Sequence, residues 1–260
     1  MSFPYLRLEH PIRLAHRGSR VLWPENTAEA FRGAVELGYK YIETDVRISA
    51  DGHVVVFHDE TLERTTNGRG KVADWALDEL RQFDAGYNFD PAAGFPARGT
   101  GVRVSTLAEV FADFPDVHFN IDLKGPGLEW PVYDVIRATG REESTLIGSF
   151  FDRRIAKFRR VTNGSVATSA GPSAALAMWL ASRRGRHVAR PVAAYQLPFN
   201  YRSLPIDQKY VDAIHEAGAQ LHLWTVNEAA DMNRLLDLGA DGIVTDRPDV
   251  LNDVVVARGS

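Results

Sequence analysis

Cysteine is absent from the chain. That excludes a disulfide scaffold, thiolate zinc ligation and a cysteine nucleophile, and it accords with a cytosolic setting. A basic run is also missing. The net charge is -4 with both signs spread along the chain, which speaks against a nucleic-acid footprint. No apolar stretch reaches the roughly 18 residues needed to span a bilayer, so stable membrane insertion is not expected. The amino-terminal MSFPYLRLEHPIRLAHRG lacks a basic start followed by an apolar run, so it does not read as a signal peptide. The expected location is therefore cytoplasmic. The basic patch Arg183-Arg184-Gly185-Arg186 after Ser173–Ala181 reads as the solvated end of a helix, because the amphipathic stretch is too short for surface binding to a membrane.

What is present is a full-sized α/β pattern. The 260 residues, 45% hydrophobic and 25% charged, can bury a complete core and fit one large barrel or two smaller domains. Repeats, low-complexity tracts and linkers are lacking, which favours one domain over 1–260. Short β-type runs alternate with helical patterns, the mark of a parallel sheet with crossover helices. Strand candidates are 12–16, 41–46, 54–58, 117–124, 145–149, 165–169, 193–197, 220–226 and 242–245. A closed barrel has eight places for these nine candidates, so one must lie outside it or be no strand at all. The path from Val46 to Val54 is open. Asp51-Gly52 is a hairpin turn signal, whereas a parallel connection usually needs a dozen residues or more.

Residues 60–104 break the rhythm. They are rich in Gly, Asp, Arg and Asn, yet Trp75, Phe83, Tyr87, Phe89 and Phe95 argue for a folded excursion. The expectation is an insertion over the open end of the barrel.

The stretch YIETDVRISADGHVVVFHD, from Tyr41 to Asp59, concentrates chemistry. Strand periodicity points Glu43 and Asp45 to one face. Two carboxylates so placed repel unless a cation lies between them or one takes a proton. On VHFNIDLK, Asn120, Asp122 and Lys124 share a face. His16-Arg17 end the first strand, His58 the third, and Trp224 lies in a late one. Barrel active sites form at the C-terminal ends of the strands, so all of these residues fall at one mouth.

Singly, each has a bland reading. A histidine at a strand end is more often structural, and a lone Trp224 is core. Together, Glu43, Asp45 and Asp122 make a hard oxygen donor set suited to one divalent cation, Ca²⁺ or Mg²⁺. His16 and His58 can pair as acid and base. Arg17 and Lys124 can hold an anion, most economically a phosphate. The sum describes phosphoester hydrolysis.

Several motifs carry a resemblance. AHRG at 15–18, PENT at 24–27, ETDVRISADGHVVVFHDETLERTTNGRG at 43–70, STLAEV at 105–110, NIDLK at 120–124, SF at 149–150, WTVN at 224–227 and GIVTDRP at 242–248 stand in this order. The chain resembles the glycerophosphodiester phosphodiesterase family over nearly its whole length. The resemblance implies a TIM (β/α)8-type barrel with an insertion after the third strand. It implies divalent-cation-dependent hydrolysis of glycerophosphodiesters to sn-glycerol 3-phosphate and an alcohol, a reaction of lipid and glycerol metabolism. Matching positions imply Glu43, Asp45 and Asp122 as metal ligands and His16 and His58 as general acid and base. Arg17 and Lys124 would contact phosphate, Trp224 would line the pocket, and Glu25 and Asn26 would support the site. Asp122 departs from the Glu of many members and is one methylene shorter, which leaves metal preference open.

Which histidine is acid, whether water or the substrate's glycerol hydroxyl attacks, and whether the chain is monomer or homodimer are also open. The nearest alternative is a lysophospholipase D-like enzyme acting on lysophospholipids. A binding protein on a degenerate barrel would lack some of these residues. An aldolase or amidohydrolase is disfavoured, because the chain has no strand-borne HxH pair and no Schiff-base candidate beyond Lys124.

Overall fold

The computed structural model describes residues 3–200 and 205–259. Residues 1, 2, 201–204 and 260 of the single-domain span lie outside the described residues, as do the first two residues of the stretch read for a leader. Strands run over Ile12–His16 (β1), Tyr41–Ile48 (β2), Val54–Val56 (β3), His118–Leu123 (β4), Thr145–Gly148 (β5), Ala167–Thr168 (β6), Ala194–Pro198 (β7), Gln220–Trp224 (β8) and Gly242–Thr245 (β9). Helices run over Ala28–Glu36 (α1), Leu77–Leu80 (α2), Leu107–Asp113 (α3), Glu129–Ala138 (α4), Asp152–Val161 (α5), Pro172–Ser182 (α6), Gln208–Glu216 (α7), Ala229–Asp237 (α8) and Pro248–Ala257 (α9).

Eight of these strands pair in the order β6-β5-β4-β2-β1-β9-β8-β7, each neighbour parallel. A parallel bridge between Ser169 and Ala194 brings β6 to β7, so the ring is nearly closed. This is the TIM-type barrel. The ninth candidate, β3, lies outside it and pairs antiparallel with the far end of β2, Ile48 against Val54. The Asp-Gly turn therefore decides the connection: Gly52 takes φ +86°, and Ser49 N donates to His53 O at 2.9 Å. The strand stops at Val56, so His58 is not its last residue but lies two positions beyond it.

Helix signals were legible where caps are. Thr27 caps α1 by accepting from Ala30 N at 3.2 Å. Thr106 and Glu109 form a reciprocal capping box at α3.

Alternation on the strands divides the barrel wall. Ala15, Ile42, Val46, Phe119, Ile121, Leu221, Leu223 and Ile243 face outward into the main core with the helices. The inner face is layered along the axis. Ile12, Leu14, Tyr41, Leu146 and Val244 form an apolar inner cluster together with Tyr5. Tyr5 ties into that end, its carbonyl accepting from Tyr41 Oη at 2.8 Å and lying 2.8 Å from His118 Nδ1. Further along the same strands the inner positions become His16, Glu43, Asp45, Asn120 and Asp122. Residues 60–104 hold a small core of their own, in which Leu62, Val72, Leu77, Leu80 and Val102 pack with Val55 and Phe57.

Candidate active site

Parallel register sets the polar layer. His16 is level with Glu43, Glu43 with Asn120, and Asp45 with Asp122. The chain leaves β1 through two residues in the left-handed region, Arg17 at φ 54° and Gly18 at φ 82°. A Cβ on Gly18 would lie 2.7 Å from the Ala30 backbone and side chain, so only glycine fits. This tight reversal returns the Arg17 guanidinium over the strand ends. Its Nε lies 3.0 Å from Asp45 Oδ2 and its Nη1 2.7 Å from Glu25 Oε1. Asn26, also left-handed at φ 57°, donates from Nδ2 to Asp45 Oδ2 at 2.9 Å and accepts from Thr44 Oγ1 at 2.7 Å. Helix capping is thus left to Thr27.

Lys124 Nζ stands between two carboxylates, 2.9 Å from Asp45 Oδ1 and 2.6 Å from Asp122 Oδ2. His16 Nε2 lies 3.7 Å from Glu43 Oε2, while its Nδ1 is 2.6 Å from Asp246 Oδ1. His58 repeats the arrangement, with Nδ1 2.5 Å from Asp59 Oδ1. In both rings the carboxylate fixes the Nδ1–H tautomer and leaves Nε2 for chemistry. Trp224 joins through an aromatic contact. Its ring meets Phe150 edge-on at 5.6 Å, and Lys124 Nζ lies 5.3 Å from the Phe150 centroid. The structure thus gathers His16, Arg17, Glu25, Asn26, Glu43, Asp45, Asp122 and Lys124 in a contact network. It brings Trp224 to its edge, and puts His58 within electrostatic reach of Asp45 without a direct contact.

Buried charge is unevenly held. Burial and the neighbouring Asp45 push Glu43 up to about 7. Burial also opposes ionisation of Asp45, but Arg17 and Lys124 outweigh it and hold its carboxyl below the usual range. Asp122 is raised, because burial exceeds the help from Lys124. Burial lowers His58. Among the described residues, no three His, Asp or Glu side chains are already gathered as a metal-holding group. The donor set still fits a hard cation: three carboxylates on adjacent strands supply only oxygen, and Asp122 Oδ1 and Asn120 Oδ1 are buried without hydrogen-bond partners.

A polar layer of acids, imidazoles and cations above an apolar barrel floor suits attack on a phosphoester. The model of the glycerophosphoryl diester phosphodiesterase family matches residues 16–250. The chain belongs to this family. It is 37% identical to probable glycerophosphodiester phosphodiesterase 2 of Mycobacterium tuberculosis, across 98% of this chain and 94% of that one. It is 36% identical to the glycerophosphodiester phosphodiesterase of Caldanaerobacter subterraneus subsp. tengcongensis, across 95% and 98%. The Oleispira antarctica phosphodiesterase OLEI02445, solved in complex with the product sn-glycerol-3-phosphate, superposes with a TM-score of 0.74 at 25% identity, covering 96% and 98% of the two chains. The protein is accordingly an enzyme, a phosphoric diester hydrolase with a small-molecule substrate. No helix among the described residues is long and apolar enough to cross a membrane.

Sequence reasoning missed Asp59, Asp246, Asn227 and Arg64. Asn227 Nδ2 donates to Asp246 Oδ2 at 3.1 Å, and its Oδ1 accepts from Asp246 N at 2.9 Å, fixing the acid behind His16. The signals were available: Asp59 directly follows His58, and WTVN and TDRP stood out as motifs without a role for their polar residues.

Proposed function

We propose that the enzyme hydrolyses glycerophosphodiesters to sn-glycerol 3-phosphate and an alcohol with one divalent cation, Ca²⁺ or Mg²⁺, held by Glu43, Asp45 and Asp122. The observation that carries this is the pairing of both histidines with carboxylates at one polar barrel mouth. When bound, the cation supplies charge to offset that developing on phosphorus oxygens. Lys124, whose Nζ bridges Asp45 and Asp122, would serve as one phosphate contact. Arg17, steadied by Glu25, is the second phosphate contact. One histidine takes the proton of the attacking hydroxyl at Nε2 while the new P–O bond forms. The other gives its Nε2 proton to the departing alkoxide as the old P–O bond breaks. Asn26 keeps Asp45 in place, and Trp224 with Phe150 walls the alcohol side. We read residues 60–104 as an insertion across the mouth of a single barrel domain, supported by the contact of its Arg64 with Glu25.

The test is turnover of chelator-stripped protein on glycerophosphocholine, glycerophosphoethanolamine and a lysophospholipid, with Ca²⁺ and Mg²⁺ restored separately. Release of glycerol 3-phosphate only with cation is expected; no diester cleavage with either ion sinks the reading. Phosphorus NMR during turnover distinguishes attack by water from attack by the glycerol hydroxyl, which passes through a cyclic phosphate. One observation favours the lysophospholipid as a second substrate class. Phe150, which meets Trp224 and Lys124, is 57% exposed and offers an apolar surface to an acyl chain. Lysophosphatidate release in the same assay decides it.

A further inference from the structure

Arg64 is the residue of the 60–104 excursion that touches the site from outside the barrel. Its guanidinium engages two carboxylates at once. Nη1 and Nη2 donate to Glu25 Oε2 and Oε1 at 2.8 and 2.7 Å, and Nε donates to Asp59 Oδ2 at 2.5 Å. Each carboxylate then holds a different functional group. Glu25 Oε1 carries Arg17 Nη1 at 2.7 Å, and Asp59 Oδ1 carries His58 Nδ1 at 2.5 Å.

We propose that Arg64 is a positioning residue that locks the phosphate-binding arginine and one catalytic histidine into register through this single fork. The inference rests on the roles proposed above for Arg17 and His58.

Three physical points support it. A guanidinium presents five donors in a fixed plane, so it can satisfy both oxygens of Glu25 and still reach Asp59; an ammonium cannot. The backbone that carries it is itself fixed. Thr66 N donates to Leu62 O at 3.1 Å, Leu62 is fully buried in the excursion's own core, and Asn88 Nδ2 donates to Glu63 O and Thr66 O at 3.0 and 3.2 Å. Finally, Glu25 already meets Arg17 and Arg20, the latter at 3.2 Å, so charge alone gives Arg64 no reason to be there. What Arg64 adds is a link between Glu25 and Asp59, which have no other shared partner among the described residues. His58 is held from the other side as well, where Arg47 Nε donates to its carbonyl at 2.9 Å.

The test compares Arg64→Met and Arg64→Lys with the parent enzyme, under the cation that supports turnover. Arg64→Met should lower kcat by about ten- to a hundredfold, the range seen when a partner behind a functional side chain is lost, and raise KM. Arg64→Lys should fall between the two. Millimolar guanidinium ion should restore Arg64→Met several-fold without affecting the parent. The thermal midpoint should stay within a few degrees, because the Arg64 side chain is 42% exposed. In nitrogen-15 spectra the His58 Nδ1–H signal should broaden or vanish in Arg64→Met. Kinetic constants within twofold of the parent overturn the proposal. So does a loss of activity that tracks a fall in thermal midpoint and resists guanidinium. A parent inactive on every diester would instead defeat the functional reading, and an unchanged His58 signal in Arg64→Met would still overturn this one.

Discussion

Each histidine of the site turns Nδ1 to a carboxylate, but the two carboxylates differ in what stands behind them. Asp246 is held by the neutral amide of Asn227, whereas Asp59 is held by the Arg64 cation. Removing either imidazole should remove one proton transfer. His16→Ala and His58→Ala are each expected to lower kcat by roughly 10²–10⁴-fold, measured by release of glycerol 3-phosphate. Near-normal turnover in both variants would defeat the assignment. Asp246→Asn keeps the shape and removes the charge, so Nδ1 no longer has a carboxylate to fix its proton. A loss of about ten- to a hundredfold in kcat, with KM little changed, is expected; an unaltered kcat would mean that Asp246 only supports the fold. The grouping of the proposed site residues at one mouth was legible from their position at strand ends. Their supports were not, because Asp246 and His16 lie 230 positions apart and meet only when β9 closes beside β1.

At the scale of elements, the turn from β1 into α1 does the most to shape the site. Two successive left-handed residues send Arg17 back over β2, and Gly18 packs directly on Ala30. Gly18→Ala meets both a disfavoured φ and a contact too short for a Cβ. A loss of at least about 2 kcal/mol is expected, seen as a fall of at least roughly 4 °C in thermal midpoint. Turnover should fall with it, because Arg17 and Asn26 ride on this turn. A variant as stable and active as the parent would show that the turn relaxes freely. The alternation of strands and helices was readable from period and capping residues. The Val46–Val54 connection was not, since strand periodicity is the same in parallel and antiparallel pairs. Only the length of the link and Gly52 separated them, and the hairpin reading proved right. The helix after Pro248 also went unread, although proline at its first turn suits a helix start.

Across the whole molecule, two buried groups drive stability in opposite directions over the same pH range. Glu43 is raised from an ordinary 4.5 to about 7 by burial and Asp45. Between those values the metal-free folded chain holds a proton that the unfolded chain has lost, so this group makes stability fall as pH rises. His222, fully buried on the barrel strand β8, is lowered from 6.5 to about 4 by burial. There the unfolded chain holds a proton that the folded chain excludes, so stability rises with pH across nearly the same window. Each effect amounts to at most about 3 kcal/mol, and in the parent they largely cancel. Substitution should separate them. With chelator present, Glu43→Gln should unfold at higher temperature than the parent at pH 8, and the gap should close by pH 4.5. It should also weaken cation-dependent turnover, because a neutral amide brings no negative charge to a hard cation. His222→Gln should remove that group's part of the opposing slope, so that stability changes less favourably from pH 4 to pH 7 than in the parent. Thermal unfolding of the three proteins at several pH values checks both signs. A Glu43→Gln protein that gains nothing at pH 8 would mean that ionising Glu43 costs the folded, metal-free chain nothing and that its carboxyl is not raised.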